Sequence, residues 1–138
     1  MRAALATIVL VLLTASTGSA AEDHRFPAQG ASASRLVIYG TTDIEQMRPV
    51  LADFQSLHPG VDLLYTHFIT RELYDRFRRE AASTEAASAD VLLSSAMDLQ
   101  VKLVNDGYAQ PYSSEATAAL PAWARWRNEA FGFTQEPV

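Results

Sequence analysis

The sequence predicts an α/β fold in which three successive strand–helix units (βαβαβα) form a parallel sheet. Short continuous apolar runs recur along the chain, and each precedes a segment whose apolar residues are spaced by three or four. The first pattern is typical of strands buried on both faces, and the second of amphipathic helices. Strands that alternate with helices are joined by crossover connections, which make neighbouring strands parallel.

The first unit begins with the apolar run RLVIYG, residues 35–40, which we interpret as a buried strand. Apolar residues at helical spacing then predict a helix over 44–57, and Thr42 with Glu45 has the spacing of a capping box. Pro49 lies inside this helical pattern. Because proline removes one backbone hydrogen bond, we expect a kink or a restart of the helix there.

The second and third units repeat this arrangement. VDLLYTHF (61–68) and DVLL (90–93) are predicted strands, and each precedes a predicted helix, over 70–82 and 97–106. Gly107 ends the last helix, because glycine adopts the left-handed conformation that often follows a helix. Charged residues four positions apart are expected to pair on the exposed helix faces: Glu72 with Arg76, Asp75 with Arg79, and Asp98 with Lys102.

Residues 1–21 have the composition of a secretory signal peptide. One early cation, Arg2, precedes the apolar run AALATIVLVLL, and small residues follow it. The run is too short to be a permanent membrane anchor, so we expect cleavage after Ala20 or Ala21 and a periplasmic mature protein. Residues 22–34 are rich in Pro, Gly and Ser and are expected to be a flexible lead-in, and residues 35–138 form the folded domain.

Composition limits the possible functions. The chain contains no cysteine, so neither disulfides nor a cysteine-based metal site is expected. The formal net charge is −5, and no stripe of basic residues is present. Because an acidic surface repels phosphate backbones, nucleic acid is not expected as a partner.

Small hydroxyl residues lie at the end of each of the three predicted strands, with Thr66 and Thr70 beside His67 at the second. Because parallel strands end at the same edge of a sheet, these residues should lie at one edge, where α/β proteins bind ligands. Helix N-termini and hydroxyls donate hydrogen bonds, so the edge suits a small anion such as a phosphate or carboxylate group. Alternatively, each residue only caps its own helix. The candidate ligand-binding residues are Thr41, Thr42, His67, Ser94 and Ser95.

No catalytic pattern accompanies these residues. Ser94 and Ser95 lack the G-x-S-x-G turn that exposes a nucleophile, and Walker-type and dinucleotide-binding glycine patterns are missing. His67 has no partner at metal-ligand spacing, so it is expected to be a polar contact. We therefore expect a protein that is not an enzyme and that uses no cofactor or metal.

Several stretches resemble one family of binding proteins: LVIYGTTD, ELYDRFRREAA, ADVLLSSAMDLQVKLVNDGYAQPY and LPAWARWRNEAFGFTQEPV. They resemble the solute-binding proteins of ABC importers, specifically the type II periplasmic binding proteins grouped with the ferric-iron-binding family. The resemblance implies a two-lobed protein that closes on its solute and delivers it to a permease in the inner membrane. It also implies that the first lobe contributes strand-end loops, here Thr41 and Thr42, the segment near His67, and Ser94 and Ser95.

The chain departs from this family in two ways. Iron-binding members have a histidine after the first strand, where this chain has Thr41 and Thr42, and their tyrosine ligands belong to a second lobe. Fe³⁺ is therefore a less suitable ligand than a phosphate- or carboxylate-bearing solute. The chain also stops at Val138, where relatives continue, so we expect a truncated first lobe. The alternatives are a stand-alone periplasmic sensing or partner-binding module and a non-functional fragment.

Aromatic residues are concentrated near the end of the chain. Trp123 and Trp126 lie there with Tyr108, Tyr112, Phe131 and Phe133. Such residues could form a stacking surface for sugars. We expect them instead to pack against the sheet and a short helix, since aromatic rings bury large areas.

Overall fold

The regular elements follow the predicted order, with additions at both ends. The structure is a computed structural model that describes residues 21–31, 34–83 and 89–134. In chain order the elements are β1 (Glu22–Phe26), β2 (Ser34–Gly40), α1 (Ile44–Leu57), β3 (Val61–His67), α2 (Thr70–Ala81), β4 (Val91–Leu93), α3 (Met97–Asn105), α4 (Glu115–Ala119), a 3₁₀ turn (Ala122–Ala124), β5 (Arg125–Trp126) and β6 (Ala130–Phe131).

The main sheet has four strands in the order β1-β3-β2-β4. β2 lies at its centre and pairs in parallel with both β3 and β4. This arrangement confirms the predicted α/β fold and its parallel strands. β5 and β6 form a separate antiparallel hairpin.

The lead-in that the sequence predicts to be flexible over residues 22–34 begins with a strand. Glu22–Phe26 forms strand β1, which pairs antiparallel with β3. Its contact with β3 is reinforced by the Thr66 hydroxyl, which donates to Asp23 Oδ1 at 2.7 Å. Gln55 of α1 donates to the carbonyl oxygens of Phe26 and Pro27, both at 2.9 Å. These contacts, more than its own polar sequence, stabilise β1 as an edge strand.

The helices cover opposite faces of the main sheet. Successive residues of a strand point to opposite faces, so Leu36 and Ile38 of β2 face one way, and Val37 and Tyr39 face the other. On the first face, α1 contributes Leu51 to a core with Leu63 and Tyr65 of β3. On the second face, α2 and α3 build two adjoining clusters, centred on Tyr39, Phe68 and Leu73 and on Tyr74, Phe77 and Leu103.

Two helix ends test the sequence predictions. α1 runs without interruption through Pro49, so the helix does not restart there, and no Thr42–Glu45 capping box forms because Asp43 is the N-cap residue. Gly107 has a φ of 85°, and the backbone N–H of Tyr108 donates to the Leu103 carbonyl at 3.1 Å. These features confirm that glycine ends α3 in the left-handed conformation.

The predicted ion pairs on α2 and α3 are wrong by one turn. The observed pairs are Arg71 with Asp75, Arg76 with Glu80, and Lys102 with Asp106. On α2 the reason is tertiary. Glu80 also accepts a hydrogen bond from the Tyr39 hydroxyl at 2.9 Å, so Glu80, and not Glu72, is the carboxylate positioned beside Arg76.

The C-terminal segment leaves its large aromatic residues exposed. Trp123 is 69% exposed and Trp126 is 46% exposed. The expectation that both tryptophans pack into the protein is therefore wrong. The short β5–β6 hairpin turns through Arg127 and Asn128, which both have positive φ, and its strands are only two residues long. In this C-terminal segment, Ala124 is the buried apolar residue.

Within residues 21–31, 34–83 and 89–134, no helix is long and apolar enough to cross a bilayer. The proposed signal peptide lies outside the described residues except for Ala21, and so do the last four residues of the chain.

The packing of Gly40 against Tyr65 depends on the absence of a side chain at Gly40. Tyr65 is completely buried, and its hydroxyl donates to the Thr42 carbonyl at 2.5 Å. A Cβ at Gly40 would lie 2.2 Å from the Tyr65 hydroxyl oxygen, well inside van der Waals contact. The end of β2 can therefore lie over the ring of Tyr65 only if residue 40 is glycine.

We predict that Gly40→Ala destabilises the protein by about 1–3 kcal/mol, because the added methyl forces Tyr65 out of its position. Urea unfolding monitored by circular dichroism measures the change. Gly60→Ala is the matched control, since a Cβ there meets no atom within 4 Å. The control should change stability by less than about 1 kcal/mol, in the stabilising direction. Equal effects of the two substitutions would contradict this account.

Candidate functional site

The three parallel strands end together at what we call the carboxyl edge, the segments 40–43, 67–70 and 94–96. Gly40 is in register with His67 on one side and with Leu93 on the other. Two backbone hydrogen bonds extend this alignment into the loops. Thr41 N donates to Leu93 O at 3.0 Å, and Phe68 N donates to Gly40 O at 2.9 Å. The loops after β2, β3 and β4 therefore start side by side, as the sequence predicts.

The candidate ligand-binding residues occupy this edge with different degrees of exposure. Thr41, Thr42, His67 and Ser94 are half-buried, whereas Ser95 is exposed. The position of Thr42 is fixed by the hydrogen bond that its carbonyl accepts from Tyr65. The hydroxyl groups of the edge are thus carried by a backbone that the buried Tyr65 holds in place.

The helices that start at the carboxyl edge are not capped by side chains. The N-cap residues of α1, α2 and α3 are Asp43, Ile69 and Ala96, and none makes a side-chain cap hydrogen bond. Ser94 Oγ accepts from the N–H of Ala96 at 3.2 Å, which is one residue before the helix proper. The alternative interpretation, that the hydroxyl residues serve only as helix caps, is therefore wrong.

Sequence reasoning did not include Asp43 in the site. Its carboxylate Oδ1 lies 3.6 Å from Nε2 of His67, so an acceptor of hydrogen bonds stands between the loops after β2 and β3. Asp43 directly follows the two threonines after β2, and this position in the sequence could have identified it as a candidate site residue. The carboxyl edge therefore combines donors with one exposed carboxylate.

Two large apolar side chains are exposed at the same edge. Ile69, before α2, is 55% exposed, and Met97, the first residue of α3, is 74% exposed. Both lie where the chain leaves the sheet, and neither joins the core clusters of buried residues. A molecule that binds across the edge would meet apolar surface on either side of the central loop.

Two pockets lie beside the segments just described. The β1 pocket has a volume of about 310 Å³ and is lined, among others, by Ala21, Asp23, Tyr39, Thr66, Phe68 and Arg76. The hairpin pocket has a volume of about 330 Å³ and is lined, among others, by Leu120, Pro121, Trp123, Gly132 and Phe133. Neither lining includes a candidate residue of the carboxyl edge, although Phe68 belongs both to the edge and to the β1 pocket.

Among the described residues, no group of three or more His, Cys, Asp or Glu side chains is arranged to hold a metal ion. The pair of His67 and Asp43 therefore stands as a two-residue contact within that part of the chain.

Comparisons with known proteins point to one class of protein. A crystal structure of the substrate-binding protein of an ABC transporter from Agrobacterium tumefaciens matches with a TM-score of 0.72 and 40% sequence identity. The match covers 81% of this chain and 33% of that protein, so this chain spans about a third of its length. No protein-family model matches the sequence, and a search of curated proteins gives no significant match.

The match establishes what kind of fold the strands and helices form. A mixed α/β arrangement with a mostly parallel sheet is shared with a protein that is 40% identical over most of this chain. The fold is a partial periplasmic-binding-protein fold. This confirms the fold class that the sequence predicts, an α/β fold with parallel strands.

Two buried tyrosines give the fold a predicted sensitivity to alkaline pH. Burial raises the pKa of Tyr65, with a further contribution from the charge of Asp43, and burial together with Glu80 raises the pKa of Tyr39. As the pH increases, these tyrosines therefore ionise in the unfolded chain before they ionise in the folded protein. The stability that these groups contribute is complete below about pH 10 and is lost above it.

We predict that the free energy of unfolding falls more steeply between pH 9 and 11 in the native chain than in the Tyr39→Phe/Tyr65→Phe double variant. Urea unfolding at several pH values gives the two slopes, which are compared independently of the starting stabilities. Tyr112→Phe, at an exposed position, is the control and should keep the native slope. An unchanged slope in the double variant would show that these tyrosines do not determine the alkaline behaviour.

Proposed function

We propose that this chain is a solute-binding component of an ABC importer and that its solute contacts the carboxyl edge. The observation that carries this proposal is the 40% identity to an ABC-transporter substrate-binding protein over 81% of the chain. The geometry supports it, because three strand ends converge in register at the edge where open α/β sheets bind ligands.

The proposed solute bears a phosphate or carboxylate group. The first turns of α1, α2 and α3 have no side-chain cap, so their backbone N–H groups and positive dipole ends are directed to the carboxyl edge. Thr41, Thr42, Ser94 and Ser95 add hydroxyl donors. Such donors suit an oxyanion better than Fe³⁺, since a cation requires a set of acceptor ligands.

Asp43 narrows the solute class further. A carboxylate at the carboxyl edge repels a simple anion, but it accepts hydrogen bonds from hydroxyl or amino groups. We therefore propose a solute that carries an anionic group at one end and a hydrogen-bond donor elsewhere, with His67 as an additional polar contact. Ile69 and Met97 would then contact the solute's carbon skeleton.

Location and partner follow from this proposal. We propose that residues 1–21 direct export and are removed, so that the mature protein is periplasmic, and that a permease in the inner membrane receives the solute. No catalysis, cofactor or nucleic-acid partner is part of the proposal. Transport also requires whatever supplies the remaining two thirds of the matched protein's length.

A second candidate function is a stand-alone periplasmic module that binds a protein partner. The exposed aromatic residues Trp123 and Phe133 at the hairpin pocket favour it, since large exposed apolar surface often marks an interaction site. The two functions differ in their response to small molecules. A module needs no solute, whereas a receptor lobe binds one at the carboxyl edge.

We predict that the mature chain binds phosphate esters, phosphonates or dicarboxylates, and that Thr41→Val and Ser94→Ala each weaken binding roughly tenfold. The estimate follows from the loss of one hydrogen bond to a charged group. Calorimetric or NMR titration gives the affinities, and thermal unfolding verifies that each variant is folded. Ser113→Ala, at an exposed position outside the edge, should bind like the native chain. Flat titrations with all three solute classes would refute the proposed function.

We also predict that the exported protein begins at Ala21 or Glu22. The full chain is expressed in a Gram-negative host, and the intact mass of the periplasmic protein is measured. A mass that includes Met1, or retention of the chain in the cytoplasm, would contradict the proposed export. A chain lacking residues 2–13 serves as the control and should not reach the periplasm.

A further inference from the structure

The position of β1 brings the start of the proposed mature chain to the carboxyl edge. β1 runs antiparallel to β3, and its first residue, Glu22, is in register with His67, the last residue of β3. His67 is in turn in register with Gly40. Because paired strands lie about 4.8 Å apart, the start of β1 is roughly 5 Å from His67 and 10 Å from Gly40.

The start of β1 has a defined location. Asp23 is held by the hydrogen bond from the buried Thr66, one residue before His67. The other end of β1 is held by Gln55, which donates to the carbonyl oxygens of Phe26 and Pro27. A group carried by residue 21 or 22 is therefore positioned by the sheet itself.

The β1 pocket adjoins this point, because Ala21 and Phe68 are both among its lining residues. Ala21 lines it together with Arg76, and Thr66 and Tyr39 contribute hydroxyl groups. Its one carboxylate, Asp23, already accepts the Thr66 hydroxyl, and Nε of Arg76 donates to Glu80. In the full-length chain residue 21 contributes only a neutral peptide group at its N-terminal side. After cleavage following Ala20, the new α-ammonium belongs to Ala21, which lines the pocket, and it is positively charged at neutral pH.

We propose that the α-ammonium of the mature chain, carried by Ala21 beside His67, adds a positive charge that strengthens binding of the solute's anionic group at the carboxyl edge, so that removal of the leader completes the binding site. This inference rests on the proposed function and on cleavage after Ala20. The loop segments 40–43 and 94–96 contain no Lys or Arg, so the ammonium adds a positive charge to an edge that also carries Asp43. It follows that the unprocessed chain holds its solute less tightly than the exported one.

The test compares chains that differ only at the first amino group. One form begins at Ala21 with a free amine, a second is the same chain acetylated at that amine, and a third carries two glycines before Ala21. Affinity for inorganic phosphate and for succinate is measured at low ionic strength. We expect the acetylated form to bind roughly three- to tenfold more weakly than the free amine, with the extended form weakened as well.

The chain offers a matched control for net charge. Lys102 is its only lysine, and it lies on α3, where it pairs with Asp106. Lys102→Gln removes one positive charge, as acetylation does, without touching the β1 pocket, and it should bind like the free-amine form. An equal loss of affinity in Lys102→Gln and in the acetylated form would overturn the inference, because net charge alone would then explain the effect.

The remaining outcomes separate this inference from the proposed function. If the free and acetylated forms bind equally tightly, the ammonium has no role, and the proposed solute-binding function stands. If no form binds either probe, both proposals are wrong. Backbone amide signals of His67 and Gly40 provide a readout that needs no solute. Acetylation should shift the His67 signal more than the Gly40 signal, and unshifted signals would overturn the placement of the ammonium.

Discussion

The carboxyl edge depends on the close contact between Gly40 and Tyr65. The ring of Tyr65 fills the space that a side chain at Gly40 would occupy, and its hydroxyl reaches past the end of β2 to the Thr42 carbonyl. One buried residue of β3 therefore determines where β2 ends and how the following loop leaves the sheet. Interiors packed at this density transmit small changes, so a change beneath the edge alters the loop above it.

The α/β core could be predicted from the sequence because hydrophobic burial dictates its pattern. β2, β3 and β4 are apolar runs, and α1, α2 and α3 have apolar stripes, so each element carries its own signal. β1 carries little such signal, because an edge strand with one covered face needs few apolar residues. Its stability comes from Thr66 and Gln55, which lie more than 25 positions away in sequence, and local patterns contain no information of that kind.

The candidate site was predictable in position but not in charge. Topology alone places the residues that follow parallel strands at one edge, so Thr41, Thr42, His67, Ser94 and Ser95 could be chosen from strand ends. The proximity of Asp43 to His67 depends on loop conformation, which the sequence does not reveal. The ion pairs of α2 show the same limit. Glu72 and Glu80 are each four positions from Arg76, so spacing alone does not distinguish them as its partner. The Tyr39 hydroxyl of β2 donates to Glu80 and so positions Glu80 beside Arg76.

The pairing of β1 with β3 has a consequence for the order in which the chain folds. Asp23 and Thr66 are 43 positions apart, so the first strand synthesised has no partner until the whole of α1 and β3 has followed it. Contacts between distant segments form slowly, because the intervening loop must first be closed. During that interval the N-terminal part remains extended and unpaired. The pairing of β1 is therefore expected to be a late step in the folding of the sheet.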